Sequence, residues 1–399
     1  MRKLASLLLL AAIALPASAA TRVRVEQLEQ ALAATHGKPD AIVANELFDM
    51  ELTERLSTVR LERWEARFPG QMARQALVAL ADTSVFLDPP ATEIPAIARP
   101  NPDAQSKIVS LAALYVAHTV PKLPSFFATQ RTTRFHDGFK PPGNIDPVAN
   151  ANSRLHFVES SSTTVLYRSG REVVDEEGTK DDRDAPSANG LNAWGVFGPL
   201  LGAVMTDALH GKVIWSHWEQ GASGPMAVFR YAVPEEKSHY VVTFCCVASD
   251  RGNFKRIPSP LFEKVAGYHG EIAVDPSTGA ILRLALQADL QPAYPIVRAD
   301  VMVEYGPVKI GGETYLCPAK SVSITQSAVA AVNAPWIDTG TASGPKTTAL
   351  NDVVFNNYHL SRGEMRILSG NSAEPDGNSP ASPPAGTNPS TPSPPPADR

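Results

Sequence analysis

The sequence predicts an α+β protein: helical hairpins at the N-terminal end, then a curved antiparallel β-sheet carrying one or two packed helices. Three observations lead there. Apolar residues recur at helical spacing before residue 92, the period changes to two after Phe126, and tight-turn sequences separate the later apolar runs. Short turns imply antiparallel neighbours, because parallel strands need a crossover of about a dozen residues or more.

The chain opens on a segment that reads as a secretory signal, residues 1–20. Arg2 and Lys3 form a basic start, Leu4 to Leu15 an apolar core broken only by Ser6, and Ala17-Ser18-Ala19 follows Pro16 as a small-residue cleavage site. The apolar run falls short of the roughly 20 residues that a membrane-spanning helix needs. No cysteine stands near the cleavage site, so the lipidation residue of a bacterial lipoprotein is missing. The expectation is a periplasmic or secreted protein without a transmembrane anchor.

A helical block is expected over 21–92. Val25, Leu28 and Leu32 share one helix face, Gly37 stops that run, and Pro39-Asp40 suits the first turn of a second helix with Ile42, Val43 and Leu47 on one side. Further helices are expected over 58–68 and 71–87, separated by Pro69-Gly70 and closed by Pro89-Pro90. Residues 93–101 read as a Pro-containing linker. Asn101-Pro102-Asp103 then combines an N-cap, a first-turn proline and an acidic first turn. The helix it starts places Ile108, Leu111, Leu114, Tyr115 and His118 on one stripe and ends near Val120, ahead of Pro121.

The antiparallel β domain is expected over 102–369. Strand-like segments begin with SFFATQRTTRFHD and end with NDVVFNNYHL, with one helical interruption at 198–210. Asp275-Pro276-Ser277-Thr278-Gly279 and Gly311-Gly312 mark tight turns. Residues 370–399 are Pro, Ser, Asn, Gly and Ala with few charges, a composition expected to stay disordered. The mixed charge run 175–184 reads as a solvated loop.

The formal net charge is −5, two units more negative once Arg2 and Lys3 leave with the signal. Mild acidity speaks against a nucleic-acid partner, which calls for a basic face. No Gly-rich phosphate loop, Walker-type lysine, HExxH pair or Cys-x-x-Cys spacing occurs, so neither a cofactor nor a metal site is expected. Gly221-Ala-Ser-Gly-Pro225 departs from a nucleophile elbow at its last position and reads as a turn between strands. Of the three cysteines, Cys245 and Cys246 are neighbours that point to opposite faces of a strand, so only one could face Cys317. A disulfide of Cys317 with Cys245 or Cys246 and three unpaired thiols both remain open.

Alternation puts Trp215, His217 and Glu219 on one strand face, and likewise Phe229 with Tyr231 and Val233, Tyr240 with Val242 and Phe244, and Leu282 with Leu284 and Leu286. The candidate walls of a ligand cavity are therefore Trp215, His217, Phe229, Tyr231, Tyr240, Phe244, Leu282 and Leu284. A helix could instead fill the same face as packed core. His217 beside Glu219 could serve as an acid–base pair, although a third group to complete a constellation is absent from the local sequence.

The order of these elements resembles the LolA-like superfamily of periplasmic lipoprotein-sorting and lipid-handling proteins. A leading helix at 103–120 runs into FFATQRTTRF. The later hairpin EIAVDPSTGAILRLAL, with Asp275-Pro276-Ser277-Thr278-Gly279, precedes VEYGPVKIGGETYLCPAKSVSI. The resemblance covers about residues 103–368. It implies a half-barrel sheet closed by helices over an apolar cavity for acyl chains, and no catalytic residues. The helical block has no counterpart in the basic carrier, and 140–250 is longer than a carrier needs. The chain also resembles exported bacterial proteins that carry such a block before the sheet. The leading expectation is a non-enzymatic binder of a lipid, an acyl chain or a lipoprotein. The alternative is a scaffold module of the cell envelope that captures a protein partner through 21–92. A hydrolase using His217 and Glu219 comes third.

Overall fold

The structure is a computed structural model that describes residues 20–68, 70–137, 155–168, 170–174, 195–244, 262–328 and 346–361. The expected signal 1–20 (but for Ala20), the charge run 175–184, Cys245, Cys246 and the expected disordered tail 370–399 lie outside them. The chain is α+β, with an antiparallel sheet of ten strands that is not closed into a barrel.

The helical block begins with a short parallel pair, β1 (Thr21–Val23) and β2 (Met50–Leu52), that flanks α1 (Val25–Ala33) and α2 (Asp40–Phe48). Two further helices follow, α3 (Thr58–Glu65) and α4 (Gln71–Thr83). The expected faces hold except at Ile42, which is exposed: Val25, Leu28, Leu32, Val43 and Leu47 are buried with Leu61, Trp64 and Leu77 in one apolar cluster. Asp40, at the start of α2, accepts from the backbone N–H groups of Met72 and Ala73, so one carboxylate satisfies the open N-terminus of α4.

α5 (Pro102–His118) starts where the sequence predicts, with Asn101 Oδ1 accepting from Ala104 N at 2.8 Å. Its buried face differs from the expected stripe. Ile108, Ala112 and Val116 are buried, whereas Leu114 and His118 are exposed. The small residue Ala112 faces inward because the turn at Gly279 presses on the helix there. Gly279 has φ +77°, and a Cβ on it would stand 2.3 Å from the Leu111 carbonyl oxygen. Only glycine meets both demands.

The sheet is a meander extended at both ends. β10 (Gly267–Val274), β11 (Ile281–Asp289), β12 (Ile296–Ile310), β13 (Glu313–Ala328) and β14 (Lys346–Leu360) pair in chain order. The first strand, β3 (Phe126–Asp137), returns beside β14, with Val353 opposite Thr132. β4 (Leu155–Arg168) and β5 (Arg171–Val174) complete that edge. At the other edge, the hairpin of β6 (Lys212–Gly221) and β7 (Gly224–Val233) pairs with β10. The tight turn at 221–224 thus joins two strands, as its sequence predicts. A small separate sheet holds β8 (Val241–Phe244) and β9 (Phe262–Val265).

Both faces of the sheet are covered. On one, α5 and α6 (Pro199–His210) pack on an apolar layer that includes Phe126, Phe229, Tyr268, Leu284, Val303 and Phe355. On the other, Ala79 and Val85 of the helical block meet Phe135, Ala285, Met302, Val322 and Leu350. Residues 93–101, the expected linker, therefore join two layers of one compact unit that reaches Ser361.

The second interface also buries charge. Glu219 of β6 receives a two-pronged contact from Arg283, 2.7 Å at each oxygen, and lies 2.6 Å from Arg55 Nη2 of the helical block. Burial by itself pushes the Glu219 carboxyl up. Hydrogen bonds and charge from Arg283, with help from His217 and Arg55, outweigh that and hold it well below the usual carboxylate range. Lys320 of β13 reaches Asp82 of α4 at 2.6 Å and Asp352 of β14 at 3.2 Å. Two carboxylates thus share one ammonium. The Asp82 carboxyl is raised to about 8: burial raises it most, Lys320 offsets part of that, and Asp352 adds to the rise. Lys320 stays protonated: burial opposes its charge, and its two carboxylates overcome that.

Two predictions follow for the buried charges. Glu219→Gln leaves Arg55 and Arg283 facing each other without an anion. It should destabilise the protein by about 3–5 kcal/mol in urea unfolding, the cost typical of breaking a buried pair. Restoring stability by adding Arg55→Met would identify the orphaned cation as the cause. The second concerns pH. A carboxyl raised on folding binds more protons in the native state, so its contribution is full below pH 4 and is lost as pH rises through about 8. Asp82→Asn should remove that part of the decline between pH 4 and 8, a slope of at most about 1.4 kcal/mol per pH unit. Equal slopes for the variant and the parent chain would refute a raised Asp82 carboxyl.

Candidate functional site

The edge hairpin β6–β7 and the start of α5 frame a cleft of about 430 Å³. Its walls include Val109 on α5 and Trp215 and Phe229 on the hairpin. Its polar rim is Arg99, Gln105 and Ser106. This volume lies at the low end of the roughly 300–1,000 Å³ typical of small-molecule sites.

A β-bulge makes this wall. The register of β6 on β7 shifts between Trp215 and His217, so Trp215 stands opposite Phe229 and His217 opposite Val228. One extra residue, Ser216, re-aims everything beyond it. Trp215 therefore faces α5, edge-on to both Phe229 (ring centroids 5.4 Å apart) and Trp218 (5.0 Å). His217 and Glu219 point to the face covered by the helical block, where Glu219 meets Arg55. The expectation that Trp215, His217 and Glu219 share a face is corrected by that bulge.

The other candidate wall residues divide. Tyr231 and Leu284 are buried in the core layer beneath α5 and α6, and the Tyr231 hydroxyl donates to the Ala285 carbonyl at 2.7 Å. Tyr240 packs against that layer, edge-on to Tyr268. A second bulge, at Ala273–Val274 opposite Ile281 and Arg283, parts Leu282 from Leu284. Leu282 packs with Met226, Val228 and Ala273, whereas Leu284 and Leu286 stay in the layer under α5 and α6. Phe244 closes β8, with its side chain outside the description. Of the other seven, only Trp215 and Phe229 reach the cleft.

His217 has the outline of an acid–base group. Its Nδ1 lies 2.9 Å from Ser216 Oγ and its Nε2 3.6 Å from Glu219 Oε2. Glu219 is a poor proton acceptor, however, because two arginines already hold it. The arrangement works as a structural anion with a histidine alongside. Among the described residues, no three His, Cys, Asp or Glu side chains could together hold a metal ion. No described helix is long and apolar enough to cross a membrane.

One polar cluster escaped the sequence reading. Asp207 of α6 has a fully buried side chain that lies 2.5 Å from His239 Nδ1 and accepts from His239 N at 2.8 Å and Tyr268 OH at 2.9 Å. Burial first, then the bond to Asp207, holds the Tyr268 hydroxyl protonated. The carboxylate clamps α6, the chain before β8, and β10 together. Its signal was a lone acid on the apolar face that Val204 and Ala208 share. Arg99 left no signal, since nothing in the linker's pattern marks it.

Cys317 is buried and unpaired among the described residues, and burial pushes its thiol up to about 12. In a chain carrying Cys245→Ser and Cys246→Ser, it should resist a thiol reagent at pH 8 until denaturant is added. Rapid labelling of the native protein would contradict this burial.

No family model, curated protein or solved structure matches the chain, so any function must be argued from the cleft itself.

Proposed function

We propose that the protein is an exported, non-enzymatic binding protein for an apolar ligand, a lipid, an acyl chain or a lipoprotein's lipid part, which it takes up between α5 and the β6–β7 edge. One observation carries this reading: the half-buried ring of Trp215 lines an open cleft beside α5, whereas Phe229, which also lines it, is buried in the apolar layer. Apolar surface at a concave, open site gains free energy when a ligand removes it from water, about 25 cal/mol per Å². The signal-like first 20 residues and the element order similar to LolA-like carriers point the same way.

The alternative, an envelope scaffold that captures a partner through 21–92, has less to work with. The block's inward side is taken up by the sheet, through Ala79 and Val85 and through the Arg55 and Asp82 ion pairs. Only its outward faces remain for a partner.

The test is uptake. Protein purified under mild conditions should yield an acyl-containing species on organic extraction, or take up a fluorescent acyl probe. Ser106→Trp, which fills the cleft from α5, should weaken uptake by about ten-fold or more, equivalent to 1.4 kcal/mol. Neither extractable lipid nor probe uptake would end the proposal, and so would uptake that Ser106→Trp leaves intact.

A further inference from the structure

The rim of the cleft is charged on one side only. Arg99 is exposed and lines the cleft, and among the described residues it has no ion-pair partner. Arg60, Arg230 and Arg283, by contrast, are each held by at least one carboxylate.

Arg99 is also held in place through its neighbours. On one side, Trp218 Nε1 donates to the Ala98 carbonyl at 2.9 Å. On the other, Gln105 Nε2 donates to the Pro100 carbonyl at 2.6 Å. Pro100 and Pro102 restrict the backbone, and the Asn101 cap ties that stretch to α5. Three side chains thus fix the main chain around a residue whose own guanidinium is uncommitted. Ordering a segment before binding removes an entropic cost that the ligand would otherwise meet. A guanidinium beside a cleft that mixes polar and apolar side chains is suited to a carboxylate or phosphate, which it can meet with two parallel hydrogen bonds.

We infer that the ligand is a single-chain anionic amphiphile, with its head group on Arg99 and its chain against Trp215, Phe229 and Val109. This rests on the reading of the cleft as the binding site and adds the charge and chain number of the ligand. One chain, not two, suits a cleft of about 430 Å³. Gln105 and Ser106 offer further polar contacts beside the head group.

The experiment compares laurate, dodecyl phosphate and the uncharged monoglyceride of lauric acid on the full exported chain at pH 8, by calorimetry and by quenching of tryptophan fluorescence. The two anions should bind about ten-fold more tightly than the neutral chain. Added salt should weaken the anions alone. Arg99→Gln should bring their affinities down to that of the monoglyceride, while Arg99→Lys should keep a preference for the anions. Laurate alone gaining would assign the head as a carboxylate, and both anions gaining would assign anionic heads in general. Equal binding of all three, or an Arg99→Gln variant with its anion preference intact, overturns the inference while the cleft remains the binding site. If none of the three binds, the cleft reading falls and the inference falls with it.

Discussion

Glu219 joins three stretches of chain that lie far apart in sequence. Arg283 on β11 grips both of its oxygens, and Arg55 in the helical block closes over it. The block can sit on this face of the sheet only where such charges find partners, because an unpaired buried ion costs several kcal/mol. Lys320 with Asp82 and Asp352, and Thr58 with Glu304, repeat the constraint along the same interface. A slip of the block by one helical turn would strand several of these groups at once. Apolar contacts of Ala79, Val85, Val78 and Phe86 add to this interface, but such contacts are non-directional and select one position less sharply than paired charges.

Covering that face has a consequence on the other. With its ionic side occupied, the sheet presents a continuous apolar layer to α5 and α6. α6 brings Leu200, Leu201, Val204 and Met205 against it and leaves the layer packed. The start of α5 brings Ser106, Ser110 and Gln105 instead. These side chains are too small or too polar to fill the space beside Trp215, so the layer opens into a cleft there. Packed core and open site are thus two outcomes on one face, decided by which helix residues lie above the strands.

The two-residue rhythm was enough to identify nearly every long strand, and the Asp275–Gly279 turn identified its hairpin. It misplaced side chains wherever a bulge intervened. Ser216 and Leu282 are ordinary strand residues by composition, and nothing local marks them as the extra residue in a ladder. Yet each shifts its neighbours between faces, separating Trp215 from His217 and Leu282 from Leu284. A bulge is decided by pairing with the next strand, which one strand's sequence does not contain. The stripe on α5 was misjudged for a related reason: the close approach of Gly279 favours Ala112 inside over the larger Leu114.

Local chemistry determined the parts of this protein that answer to neighbouring residues. Asn101-Pro102 starts α5, Gly311-Gly312 turns β12 into β13, and alternation makes the meander. Tertiary structure decided the rest: the return of β3 to β14, the pairing of Asp82 with Lys320 across 238 residues, and the pinning of Arg99 at a cleft. Such contacts form only after long loops have closed. Their partners are chosen by complementary charge and shape across an interface, and no short window of sequence holds both sides of one.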